Sequence, residues 1–223
     1  MGENITLTAS DGFTFDAYRA APAGTPKGGV VVIQEIFGVN AHIREVADSY
    51  AADGYLAIAP AVFDRAKKNV ELGYDQDAMT AGRGLKDECS YENAVLDLTA
   101  AVKAASEGGK VGTVGYCWGG TLSYLCSTRV PGVSGSVVYY GGQIVPFNDE
   151  KLVAPAMMHF GELDSGIPLS DVDAIRSAHP EAEVFVYDGA DHGFNCDHRG
   201  TYNEASCKTA RERTNAFFAK NLG

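Results

Sequence analysis

Gly115-Tyr116-Cys117-Trp118-Gly119-Gly120 lies where an apolar run, Lys110–Tyr116, passes into a segment of helical spacing, Trp118–Thr128. A nucleophile on such a turn is strained and pushed outward above a sheet. Small residues on either side let strand and helix pack closely. The pattern is a G-x-S-x-G elbow with cysteine in place of serine. A thiol suits that position, because the positive end of the helix dipole favours the thiolate. Thiolate attack also needs less help from a base than a hydroxyl does. The backbone N–H of Trp118 points at the same spot and could hold an oxyanion. A strand–helix turn enclosing an inert core cysteine would carry the same residues. The chemistry therefore depends on residues further along the chain.

An elbow nucleophile is followed, in chain order, by an acid and then a histidine. Downstream, the apolar run Ala154–Phe160 opens into Gly161-Glu162-Leu163-Asp164. Glu183–Tyr187 opens into Asp188-Gly189-Ala190-Asp191-His192-Gly193-Phe194. Asp164 and His192 thus each follow a strand, at the carboxyl ends where α/β sheets place their sites. A Cys117–His192–Asp164 triad is expected. His159, inside an apolar strand, reads as a core or supporting residue. Upstream, Gln34-Glu35-Ile36-Phe37-Gly38 follows Gly29–Ile33. A carboxylate directly after an apolar strand is costly unless it faces a site or a partner; Glu35 also fits a simple helix-start acid. The Ile36 N–H is the second expected oxyanion donor.

Positioning these residues takes a parallel sheet. Ile5–Ala9 and Phe13–Arg19 alternate in polarity around Asp11-Gly12, a hairpin signal. Gly29–Ile33 and Tyr55–Ala59 are continuous apolar runs, as strands buried on both faces are. Helical spacing marks His42–Ala52 and residues 91–105, the second capped by Ser90. A helix capped by Ser170 is expected over Ser170–Ala178, and a long final one over Thr201–Leu222. Residues 60–86 read as an irregular excursion. The β–α alternation implies a mostly parallel sheet with an antiparallel N-terminal hairpin and helices on both faces. One domain over residues 1–223 is expected.

Composition narrows the partners. The chain has 223 residues, 45% of them hydrophobic, and a net charge of −11. That length buries a core without disulfide or metal staples. No apolar run is long enough to span a membrane, and no secretion signal is evident at the N-terminus. The acidic balance argues against nucleic acid. Residues 111–198 hold eleven acids against three bases, read as solvated loops and helix faces. Five cysteines without a CxxC pair suggest reduced thiols and a cytoplasmic setting. His192, Cys196, His198 and Cys207 match no standard zinc spacing, so no metal is expected. Without G-x-G-x-x-G or a P-loop lysine, no nucleotide cofactor is expected either.

With these residues assembled, the sequence resembles the dienelactone hydrolase family of α/β-hydrolases along nearly its whole length. The likeness rests on Gln34-Glu35-Ile36-Phe37-Gly38-Val39-Asn40, the Cys117 elbow, Tyr139-Tyr140-Gly141, Gly161-Glu162-Leu163-Asp164 and His192-Gly193-Phe194. It implies a hydrolase of activated lactones or esters, working through an acyl-enzyme on Cys117. It also implies that Glu35 pairs with the resting thiol and takes its proton once substrate displaces it. Ile36 and Trp118 would hold the oxyanion, and His192, oriented by Asp164, would activate water. Family members that cleave dienelactones hold the substrate carboxylate with two arginines. One lies four residues after the histidine, where this chain has Cys196; Arg199 is near but out of register. The other falls within residues 75–86, where Arg83 is the only arginine. Tyr140 is a further candidate for lining the pocket. A thioesterase, another carboxylesterase or a non-catalytic binding protein would use the same framework.

Overall fold

The computed structural model describes residues 2–223. Its strands are β1 (Glu3–Thr8), β2 (Thr14–Ala20), β3 (Gly29–Ile33), β4 (Leu56–Pro60), β5 (Val111–Tyr116), β6 (Val133–Tyr139), β7 (Ala156–Gly161) and β8 (Glu183–Tyr187). They form one eight-stranded sheet in the order β1-β2-β4-β3-β5-β6-β7-β8. From β4 to β8 every neighbouring pair is parallel, while β1 and β2 form the antiparallel hairpin and β2 pairs antiparallel with β4. This is the mostly parallel sheet with an antiparallel N-terminal hairpin that the β–α alternation implies, and the α/β-hydrolase architecture that the resemblance implies.

The helices are α1 (Ala41–Ala52), α2 (Gln76–Glu88), α3 (Tyr91–Ala105), α4 (Trp118–Arg129), α5 (Leu169–Ala178) and α6 (Glu204–Leu222). Alternate residues of β5 show how the sheet is covered. Thr113 meets Ser123 of α4 through its hydroxyl at 2.8 Å, while Gly112 faces Phe218 of α6. Successive residues of a strand point to opposite faces, so α4 and α6 lie on opposite sides. Because both faces are covered, β3, β4, β5 and β7 are buried along their whole length. Each of their large aliphatic side chains contributes roughly 1.5–3 kcal/mol.

Three local expectations need correction. Residues 60–86 are not irregular throughout, since Gln76–Glu88 is helical. Its apolar face is short: Ala78 and Gly82 are buried, with Met79 and Leu85 half-buried against the core. The signal that was present is the cap: Asp75 accepts the Ala78 N–H at 2.8 Å. Second, Ser170 does not cap α5. The helix starts one residue earlier, after Pro168 at φ −61°, with no side-chain cap. Third, α6 starts at Glu204, where Asn203 accepts from the Ser206 N–H at 3.1 Å. Thr201 lies outside it and donates its hydroxyl to the His192 carbonyl at 2.7 Å.

Candidate active site

Cys117 sits between β5 and α4 at φ 56°, ψ −120°. That is a sparsely populated conformation, costing about 1–3 kcal/mol. The surroundings enforce it. The Cys117 N–H donates to the Tyr139 carbonyl at 3.0 Å and the Gly120 N–H donates to the Cys117 carbonyl at 2.9 Å. A Cβ at Gly115 would overlap the Gly119 carbonyl, and one at Gly119 would overlap the Gln34 carbonyl. Glycine at both positions lets α4 start directly above the sheet. The Trp118 ring stacks on Phe63 at 5.3 Å, so the excursion after β4 braces the elbow.

Asp164 and His192 come together from the ends of β7 and β8. His192 Nδ1 lies 2.7 Å from Asp164 Oδ2. The other carboxylate oxygen accepts the Gly166 N–H at 2.9 Å, and the Asp164 side chain is 1% exposed. A carboxylate only accepts, so Nδ1 carries the proton and Nε2 is left for Cys117. Burial alone would lower the His192 pKa. The Cys117 sulfur and the Asp164 carboxylate outweigh it and push the imidazole up to about 10. The folded value lies above the ordinary value of about 6.5. His192 therefore contributes stability that is complete below that value and is lost as pH rises through about 10. In an NMR titration, the His192 ring is expected to stay protonated well above neutrality. A midpoint near the ordinary histidine value would contradict this pairing.

The Ile36 and Trp118 N–H groups have no hydrogen-bond partner among the described residues. Both residues line the same cavity as Cys117 and His192. Glu35 departs from the expectation. It is paired with Arg199 rather than with the thiol, the Arg199 Nη1 donating to Glu35 Oε1 at 2.9 Å. Glu35 is 1% exposed at its side chain, and its Oε2 has no partner among the described residues. A buried carboxylate needs a cation, and Arg199 is in reach because its loop coils. The Cys196 N–H donates to the Gly193 carbonyl at 2.9 Å, and the Arg199 N–H to the Cys196 carbonyl at 3.1 Å. These turns bring a residue seven positions after His192 back to the cavity, which spacing alone did not reveal.

Arg83 projects into the cavity from α2. That helix approaches so closely that a Cβ at Gly82 would overlap the Ile36 carbonyl. Tyr140 does not line the cavity. It is fully buried, its ring packs 5.0 Å from the His192 ring, and its hydroxyl has no partner among the described residues. His159 is a core residue between Tyr187 and Thr214, at 2.9 and 3.2 Å, and burial pulls its pKa down to about 3. All five cysteines are free thiols.

The dienelactone hydrolase family profile matches residues 15–222. The chain belongs to the dienelactone hydrolase family. It is 33% identical over 231 residues to the carboxymethylenebutenolidase of Pseudomonas putida, covering 98% of this chain and 97% of that one. A Synechocystis protein provisionally named a carboxymethylenebutenolidase is 36% identical over 213 residues, covering 86% of each chain. A Klebsiella pneumoniae crystal structure, provisionally named a dienelactone hydrolase, superposes with a TM-score of 0.85 at 30% identity, covering 98% of this chain and 99% of that one. As a member of this family, the protein is a hydrolase of esters or lactones. Among the described residues, no helix is long and apolar enough to cross a membrane.

Proposed function

We propose that this dienelactone hydrolase family member cleaves a lactone or activated ester that carries a carboxylate, through Cys117, His192 and Asp164. One observation carries this reading. A single cavity of about 390 Å³ is lined by Cys117, His192 and Asp164 and also by Arg83 and Arg199. The chain as a whole is acidic, yet the cavity wall is locally cationic, with Lys86 beside the two arginines. Such a wall suits an anion.

The Cys117 thiolate attacks the acyl carbon. The carbonyl electron pair moves onto oxygen, where the Ile36 and Trp118 N–H groups receive it. Collapse breaks the acyl–oxygen bond, and protonated His192 gives its proton to the leaving oxygen. Neutral His192 then removes a proton from water, which attacks the thioester; the carbon–sulfur bond breaks, and the acid and the Cys117 thiolate are released. Asp164 holds the ring in the working tautomer throughout. An arriving substrate carboxylate competes with Glu35 for Arg199. We read the chain as one catalytic domain over residues 1–223. Its free thiols fit a reducing cytoplasm.

A substrate panel tests the proposal: a carboxylate-bearing lactone, a neutral aryl ester and an acyl thioester. The lactone is expected to have the highest kcat/KM. Arg83→Ala should raise KM for it by about 10- to 100-fold, the value of one charge-assisted contact, and leave the neutral ester unchanged. Arg199→Ala should do the same and also lower stability by about 3–5 kcal/mol, because Glu35 is left buried without a cation. Equal losses on neutral and anionic substrates would exclude an anion-binding role.

A further inference from the structure

Outside the cavity, four side chains of metal-ligating type meet between α1 and the loop after β8. His42 and Glu45 are three residues apart on α1, which places them on one helix face; Asp197 and His198 come from the loop. One ligand atom from each lies within 4.8 Å of all the others. His198 Nε2 is 2.8 Å from Glu45 Oε2, His42 Nδ1 is 3.5 Å from Asp197 Oδ1, and His198 Nε2 is 3.9 Å from Asp197 Oδ1. Ligands about 2.0–2.2 Å from a tetrahedral ion sit roughly 3.3–3.6 Å apart. The set is therefore close to that size. The Glu45 and Asp197 side chains, 61% and 64% exposed, are free to swing onto an ion.

His42 separates this cluster from an ordinary surface ion pair. It is 4% exposed, and its Nε2 has no partner among the described residues. Its Nδ1 edge is turned into the cluster at a distance too long for a strong hydrogen bond. Coordination through Nδ1 would give this buried edge a closer partner than its long contact to Asp197 and would place the ring's proton on Nε2. Two carboxylates balance the charge of a divalent cation. Two imidazoles favour a borderline ion over calcium or magnesium, which prefer oxygen alone.

We propose that His42, Glu45, Asp197 and His198 form a binding site for a borderline divalent ion of the Zn²⁺ type, which fastens the loop bearing Arg199 to α1. None of the four lines the active-site cavity, so the ion is separate from the reacting groups. Arg199 directly follows His198, so the ion would hold in place the residue that pairs with Glu35.

The test uses full-length protein carrying Cys117→Ala, which removes the active-site thiol as a competitor. Co²⁺ is titrated and its visible absorption recorded, followed by displacement with Zn²⁺. One equivalent is expected to bind with a tetrahedral spectrum that lacks a thiolate charge-transfer band. His198→Ala and Glu45→Gln, both at exposed positions, should each weaken binding at least about tenfold, with circular dichroism unchanged. The absence of saturable binding would overturn the proposal. So would a thiolate band, which would implicate nearby Cys207, or an affinity unaffected by His198→Ala.

Discussion

Cys117→Ala is expected to lower kcat/KM for an activated aryl ester or lactone on the order of 10⁴-fold or more, with the fold intact. The size comes from the role: removal of a triad nucleophile leaves only what the oxyanion donors and substrate binding supply. The geometry protects the fold. Cys117 is only partly buried, and the elbow is held by backbone bonds to Tyr139 and Gly120. Alanine keeps those bonds and can occupy the same strained backbone at similar cost. Steady-state kinetics beside a urea melt separate the two effects. Residual activity within about tenfold of the parent would exclude nucleophilic catalysis at this residue.

The second large effect is expected at Asp164. Asparagine fits the space but can present its amide N–H to His192 Nδ1. The ring would then turn to the opposite tautomer, with its proton on Nε2 facing the sulfur. The imidazolium would also lose the carboxylate that helps hold its pKa near 10. Asp164→Asn should therefore lower kcat by roughly 10³–10⁴-fold and bring down the His192 midpoint. The loss should fall on deacylation, because a thiolate needs little base to attack whereas water needs one. With an aryl ester the variant should release a burst of phenol and then turn over slowly. A merely structural Asp164 would lower the melting temperature without moving the His192 titration.

Different parts of the site were legible in the sequence to different degrees, for physical reasons. Cys117, Asp164 and His192 stand just past strand ends. Strand ends are readable because strands buried on both faces are continuous apolar runs. Gly115 and Gly119 are readable because close packing leaves no alternative to glycine. The helix carrying Arg83 was not, because its apolar face, Ala78, Met79, Gly82 and Leu85, is short and only two of these residues are buried. Arg199 was legible only as an arginine out of register, because its place in the cavity depends on turns stacked between Gly193 and Arg199. The Glu35 pairing arises from that same loop: once Arg199 reaches the cavity, it is the cation nearest a buried carboxylate. The metal cluster joins residues more than 150 positions apart, as His198 and Glu45 are. Only the packed loop shows that they meet.

The central claim is that hydrolysis passes through an acyl group on Cys117. Rapid acid quench of the Asp164→Asn variant during turnover of an activated aryl ester, followed by peptide mass analysis, tests it most directly. The expected result is one acyl group, carried by the peptide containing Cys117 and absent after Cys117→Ala. Turnover with no acylated peptide, or with the acyl group on another residue, would contradict it.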